Sequence, residues 1–213
     1  MAITSGTDRQ VGDGRLRRGM KTREQLLDAA IDLFGSKGFT STSMKDLAAA
    51  AGVRAPAIYN HFSSKERILA AALVWALEDF KHHVIDTDDP AGEPVARLEN
   101  LVRKHVTYQL EHSKMVRSAD TLLESVALGE ILTPEDQAEI RVFIRRYRDL
   151  MTQVIDAVRA QTGAEFPSTG LCVLAILNLC DQSRSWFRVD GELSIEEVKD
   201  GYWSLIAGML RLV

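Results

Sequence analysis

The segment from Met44 to Lys65 constrains the fold more than any other part of the sequence. Gly52 sits where a first helix would end in a left-handed turn, and Pro56 suits the first turn of a second helix. The second helix would carry Ile58 and Phe62, four residues apart, on its inner face. The first helix is indicated by apolar residues that repeat with the spacing of one helix face: Met44, Leu47, Ala48 and Ala51.

Two short helices joined by a glycine turn form a helix-turn-helix, whose second helix would enter the major groove of DNA by its N-terminal end. Its outer face would carry Arg54, Ala55, Tyr59 and Asn60. The alternative from the pattern alone is an ordinary pair of antiparallel helices in a helical core.

The same segment resembles the DNA-binding signature of the tetracycline-repressor (TetR) family. The resemblance rests on Gly38-Phe39, Thr42-Ser43, Asp46-Leu47-Ala48, Ala51-Gly52-Val53, Tyr59-Asn60-His61-Phe62 and Lys65. It implies an all-α protein of about nine helices, in which a three-helix DNA-binding domain precedes a larger helical domain for ligand binding and dimerisation. The DNA-binding residues would be Thr42, Ser43, Arg54, Ala55, Pro56, Tyr59, Asn60, His61 and Lys65.

The charge distribution favours the same division. The whole chain carries 26 Lys and Arg against 30 Asp and Glu, but residues 1–67 carry 11 against 7. A basic N-terminal third on an acidic body fits a local phosphate-binding surface. We expect a flexible basic arm over residues 1–20, the DNA-binding domain over 21–67 and the ligand-binding and dimerisation domain over 68–213. The arm is either a solvated tail or a segment that reaches phosphates or a minor groove.

Capping residues and glycines mark the helix ends. The first helix is predicted from Lys21 to Lys37, stopped by Gly38. Ser43 would cap the second helix and Ser63 the fourth, where Lys65 and free backbone N–H groups would hold a phosphate. The fourth helix then leads into the body and would link DNA binding to ligand binding mechanically. The remaining helices are predicted over 93–112, 115–128, 134–161 and 168–187, and from the Ser194 capping box onwards.

The last two helices are apolar on more than one side. Such helices must be buried on more than one side, so we predict that they pack against their copies in a homodimer. The dimerisation residues would be Leu171, Leu174, Tyr202, Leu205 and Met209. The alternative is a well-buried monomeric core.

Several polar residues interrupt apolar inner faces of the body. They either hydrogen-bond to one another or line a cavity with a few polar anchors, the usual form of a small-molecule site. Asp181 would exclude acidic ligands if it lacked a partner, but would leave room for an acidic or thioester ligand if it paired with Arg184. The ligand-binding residues would be Leu101, His105, Gln109, Phe143, Tyr147, Leu177, Asn178 and Asp181.

The sequence shows no Gly-rich phosphate loop, nucleophile elbow or metal-ligand spacing, so we expect neither catalysis nor a cofactor or metal. Cys172 and Cys180 are eight residues apart on one predicted helix, too far for a disulfide, and are expected to be buried thiols, with redox sensing as the alternative. No apolar run indicates a signal peptide or a membrane span, so we expect a cytoplasmic protein.

These observations together predict a homodimeric regulator that binds a palindromic operator in double-stranded DNA. It would most simply be a repressor, released by a small, mainly apolar effector. Trp186-Phe187-Arg188 resembles family members that sense lipid- or acyl-CoA-type metabolites. The alternatives are a DNA-binding protein with a solid body that needs no ligand, and an enzyme on a helical scaffold.

Overall fold

The computed structural model describes the backbone of residues 7–128 and 131–212 and the side chains of residues 19–124 and 131–212. The described residues are helical and contain no strand, which confirms the all-α prediction. A single 3-10 turn, Ile85–Thr87, lies between the fourth and fifth helices. The α-helices are α1 Thr7–Lys37, α2 Met44–Ala50, α3 Ala55–Ile58, α4 Lys65–His83, α5 Pro94–Glu111, α6 Ser113–Leu128, α7 Pro134–Thr162, α8 Thr169–Trp186 and α9 Ile195–Met209.

Most helix ends lie where the capping signals predicted them. Ser43 and Ser194 each form a capping box, with Asp46 and Glu197 as the reciprocal partners. In both boxes, hydrogen bonds from the serine lower the pKa of the carboxyl group. Gly38 adopts a positive φ of 83° immediately after α1, where an L side chain would be strained.

Two predicted helix starts are wrong. The first helix begins at Thr7 rather than Lys21, so α1 overlaps the predicted arm, and residues 1–6 lie outside the described residues. Residues 7–37 contain no proline that would break a helix. Once packing has nucleated the helix, each further residue adds one backbone hydrogen bond, so α1 extends towards the N-terminus. At α4 the cap is Ser64 rather than Ser63, because the Ser64 hydroxyl accepts the Arg67 N–H.

The helices form two compact units, and the division falls inside α4. Unit 1 contains the described residues up to Trp75 together with those between Arg117 and Thr133. Its core contains one apolar face of α1, and the ring of Phe34 lies 5.3 Å from that of Phe39. The buried apolar residues include Leu26, Leu27, Ala30, Ile31, Phe34, Leu47, Ala48, Ile58, Phe62, Ile68, Leu69 and Ala72.

Unit 2 contains the described residues from Ala76 to Val116 and from Pro134 onwards. Helix α5 is its centre and packs against α7, α8 and α9. The apolar stripe of α7 is buried or half-buried except at Ile144, which is exposed; it consists of Ile140, Phe143, Ile144, Tyr147, Met151, Val154 and Val158. The central buried residues include Leu98, Leu101, Val102, Val106, Met151, Val154, Ile155, Val158, Val173, Ile176, Val198, Ile206 and Leu210.

Helix α1 passes close to α6 at Gly35. A Cβ atom added there would lie 2.5 Å from the Cβ and 2.7 Å from the Cα of Ser118 on α6. Gly35→Ala is therefore expected to lower the free energy of unfolding by about 1–3 kcal/mol through overpacking. Gly19 lies in the same helix with nothing within 4 Å of its added Cβ. Gly19→Ala should leave stability unchanged or raise it by up to about 1 kcal/mol. Urea denaturation of both variants tests this, and equal effects would contradict it.

Candidate functional site

The helix-turn-helix is formed as the sequence predicts. Gly52 has a φ of 67°, and the Val53 N–H closes the turn by donating to the Ala48 carbonyl. Helix α3 is short, and Ile58 and Phe62 bury the inner side of this segment. The two buried residues fix which side of the segment remains available to a partner.

The outer side carries the side chains with which DNA could be read. Arg54 and Asn60 are exposed, and Tyr59 is 60% exposed. Pro56 is exposed in the first turn of α3, whereas Ala55 and His61 are half-buried. Arginine and asparagine are side chains that recognise base edges, and tyrosine and arginine also bind phosphates.

Three predicted DNA-binding residues have internal contacts. Thr42 is 1% exposed, and its hydroxyl donates to the Gly38 carbonyl at 2.9 Å. The Ser43 hydroxyl takes part in the α2 capping box. The Lys65 ammonium donates to the carbonyls of Phe39, at 2.8 Å, and of Thr42, at 2.9 Å. The sequence did not show that this lysine has partners inside the unit, because both acceptors are backbone groups distant in the chain.

The polar residues of unit 2 form a hydrogen-bonded network among α5, α7 and α8. His105 lies at its centre, with Nε2 3.0 Å from Asp181 Oδ1 and Nδ1 3.2 Å from the Tyr147 hydroxyl. We assign the proton to Nε2, which then donates to the carboxylate while the tyrosine donates to Nδ1. Gln109 donates to the same Asp181 oxygen at 2.8 Å. Burial raises the pKa of Tyr147, so this phenol stays protonated and able to donate.

The network extends from the core to the surface. Tyr147, His105 and Gln109 are buried, whereas the Asp181 side chain is 43% exposed. Arg184 donates to Gln109 Oε1 at 2.7 Å and to the backbone carbonyl of Asp181. The partners of the Asp181 carboxylate are His105 and Gln109, so the alternative in which it lacks a partner is wrong. The polar anchors satisfy one another, so their role in a ligand cavity stays a prediction.

The other predicted ligand-binding residues are divided between core and surface. Leu101 is fully buried, and Phe143 and Leu177 are half-buried. Asn178 is exposed, and its amide donates to the Leu174 carbonyl one turn earlier at 2.7 Å, so it lies outside the network. A polar residue on an apolar helix can satisfy its own backbone in this way, which the sequence pattern does not show.

Helices α8 and α9 expose apolar side chains, as the dimer prediction requires. Leu171, Leu174 and Met209 are exposed, and Leu205 is 63% exposed. Tyr202 differs because it is buried in its own chain, with its hydroxyl accepting the Trp186 indole N–H at 3.1 Å. Tyr202 thus belongs to the core of unit 2 rather than to a free surface.

The two cysteines are buried and free, as predicted. Burial raises the pKa of both thiols, which keeps them protonated and unreactive. Among the residues that the structure describes, no group of three His, Cys, Asp or Glu side chains is arranged to hold a metal ion. None of the described helices combines the length and apolarity of a membrane span.

A helix-turn-helix with exposed Arg54, Tyr59 and Asn60, followed by a helical body, defines a transcriptional regulator of the helix-turn-helix class. The family described as "Bacterial regulatory proteins, tetR family" matches residues 26–72, and "Tetracyclin repressor-like, C-terminal domain" matches residues 91–210. Because the second match alone covers more than half of the chain, the protein belongs to the TetR family. It is a regulator rather than an enzyme, and regulators of this family are dimers.

The chain is similar over nearly its whole length to known repressors. It is 24% identical over 202 residues to the "HTH-type transcriptional repressor KstR2" of Mycobacterium tuberculosis (strain ATCC 25618 / H37Rv), covering 94% of this chain and 96% of that protein. It is 27% identical over 188 residues to KstR2 of Rhodococcus jostii (strain RHA1), covering 86% and 88%. The fold matches the crystal structure of AibR "in complex with isovaleryl coenzyme A and operator DNA", with 23% identity, a TM-score of 0.72 and coverage of 89% and 98%.

The network predicts a specific cost for the loss of one hydroxyl. Tyr147→Phe leaves His105 Nδ1 buried without its donor, so we expect the free energy of unfolding to fall by about 1–3 kcal/mol. Tyr59→Phe is the matched control, because its exposed hydroxyl should change stability by less than about 0.5 kcal/mol. Chemical denaturation of both variants measures the difference, and an unchanged Tyr147→Phe variant would show that the network contributes no net stability.

The exposed apolar residues of α8 and α9 predict how dimerisation can be disrupted. Leu205→Glu would place a charge in a buried interface, which costs several kcal/mol (about 3–5) when the charge has no partner. Val142 on α7 is 62% exposed, nearly the same as Leu205, but lies outside the predicted interface. Sedimentation at micromolar concentration should show a monomer for Leu205→Glu and a dimer for Val142→Glu. The opposite pattern would move the interface to α7.

Proposed function

We propose that the protein represses transcription in the cytoplasm as a homodimer bound to a palindromic operator. An acyl-CoA thioester bound in unit 2 releases it. The observation that carries the proposal is the exposed group of Arg54, Tyr59 and Asn60 on a segment whose opposite side is fixed by buried Ile58 and Phe62.

The two-fold symmetry of the proposed dimer determines the form of its operator. A symmetric dimer presents two copies of the same reading surface, so its half-sites are related by a palindrome and separated by about one helical turn of DNA or a multiple of it. The excess of Lys and Arg within residues 1–67 supplies the salt-dependent attraction to phosphates.

The proposed effector class is supported by the AibR complex and by the network of unit 2. AibR is described with isovaleryl coenzyme A and operator DNA together in one structure. In our chain, Arg184 and the exposed end of Asp181 lie where the network reaches the surface. A thioester or phosphate oxygen that accepts a hydrogen bond from Arg184 would compete with Gln109 and Asp181 for that guanidinium.

Release requires a difference in affinity between two states. The effector must bind the state that cannot bind DNA more tightly, and by about 10⁴-fold for a complete change in occupancy. Displacement of the Arg184 contacts is a local change by which the ligand could distinguish the two states.

A second candidate is a DNA-binding protein that needs no ligand. The observation that favours it is the mutual hydrogen bonding of His105, Gln109, Tyr147 and Asp181, which leaves these groups already satisfied. The two candidates share the operator and differ in their response to ligand.

The experiment is selection of bound duplexes from fragmented genomic DNA, followed by anisotropy titrations at fixed salt with isovaleryl-CoA, a long-chain acyl-CoA, free CoA and a fatty acid. We expect a thioester to weaken operator binding, with Arg184→Gln less sensitive to it than the wild type. Arg188→Gln is the matched control, because Arg188 is exposed near the end of the same helix and donates to the carbonyls of Ser185 and Phe187. If none of the four compounds changes operator binding, the proposed acyl-CoA effector is wrong and the second candidate is favoured. If the wild type binds operator and random duplex equally, both candidates fail.

A further inference from the structure

Lys65, the first residue of α4, has an unusually complete set of contacts for a lysine in a DNA-binding unit. Its ammonium lies 2.8 Å from the Phe39 carbonyl oxygen and 2.9 Å from that of Thr42. It also lies over the ring of Phe39, 4.3 Å from the centroid. Two of its three N–H groups therefore serve backbone acceptors, and the cation is further stabilised by the aromatic face.

These contacts join parts of unit 1 that are distant in the chain. Lys65 is separated by 26 residues from Phe39 and by 23 from Thr42. The segment between them contains α2, the Gly52 turn and α3, which is the whole helix-turn-helix. The lysine thus holds the entry to α2 against the start of α4, with the reading segment between the two ends.

The surroundings of the Phe39–Thr42 turn are equally fixed. Thr42 is buried and donates to the Gly38 carbonyl, and the next residue, Ser43, caps α2. The ring of Phe39 packs against Phe34 of α1. The carbonyls that bind Lys65 therefore belong to a turn that is itself anchored to α1 and α2.

We propose that Lys65 is a positioning residue for DNA recognition: it fixes the placement of the helix-turn-helix through the Phe39 and Thr42 carbonyls. This inference rests on the proposed function. It differs from the phosphate contact expected from the sequence, in which the lysine would contribute charge alone. At the start of α4 the Arg67 N–H is likewise occupied, by the Ser64 hydroxyl.

The two roles predict different measurements for Lys65→Met, which keeps an unbranched side chain of nearly the same length but removes its charge and its hydrogen bonds. As a positioning residue, its loss lowers the Tm of the free protein by several degrees and reduces the ratio of operator to random-duplex affinity, by about tenfold or more. The slope of log K against log salt stays unchanged. As a phosphate ligand, its loss weakens both duplexes equally and reduces that slope by about 0.9, with the Tm unchanged.

Lys45→Met is the matched control. Lys45 is an exposed lysine on α2 in the same unit, so its removal subtracts one charge without removing an internal contact of the kind that Lys65 makes. We expect it to leave the Tm and the operator-to-random ratio unchanged. Binding is measured at a temperature at which circular dichroism shows every variant to be folded. If Lys65 only stabilised the fold, the ratio of operator to random-duplex affinity would be unchanged at that temperature.

Phe39→Leu provides a second variant that keeps the charge and both carbonyls. It removes the ring beneath the ammonium, which also packs against Phe34, so it should lower the ratio in the same direction but by less, and its effect should not add to that of Lys65→Met. Additive effects, or a Lys65→Met variant that keeps the wild-type ratio, would overturn the inference while leaving the proposed function in place. A wild type without any preference for the selected operator would overturn both.

Discussion

The structure of unit 2 depends on the burial of α5. This helix packs against α7, α8 and α9, so it has little surface on which a polar side chain can reach water. His105 and Gln109 on α5 must therefore find partners among the neighbouring helices, because an unpaired buried polar group costs about 1–3 kcal/mol. Tyr147 on α7 and Asp181 on α8 are those partners, and they specify how the three helices align.

In unit 1 the polar group that finds partners inside the protein is the Lys65 ammonium, and its partners are backbone carbonyls. Helices α2 and α3 of the helix-turn-helix are short, with seven and four residues, so helix propensity contributes little to their stability. Tertiary contacts must hold such helices in place, and here they are a few buried apolar residues and the Lys65 ammonium. Short helices held by few contacts leave a large outer surface for a nucleic acid.

The sequence predicted the features that are encoded locally. Helix faces follow from apolar spacing, and the starts of α2 and α9 follow from Ser43 and Ser194, each of which accepts a backbone N–H as a cap. The sequence did not predict the features that depend on contacts between residues distant in the chain. The pattern placed Tyr202 with Leu205 and Met209 on one face of α9, whereas packing against the body buries only the tyrosine. The partners of Lys65 and the mutual bonding of His105 and Asp181 are likewise tertiary.

The buried cysteines have a consequence for the signal to which this regulator can respond. Both thiols are enclosed in the core and are kept in the protonated form, in which they react slowly with peroxides and disulfides. Oxidative stress therefore has no accessible sulfur on Cys172 or Cys180 with which to alter the protein. Oxidation of these two thiols is therefore not a route by which the redox state of the cell would change the output of the regulator.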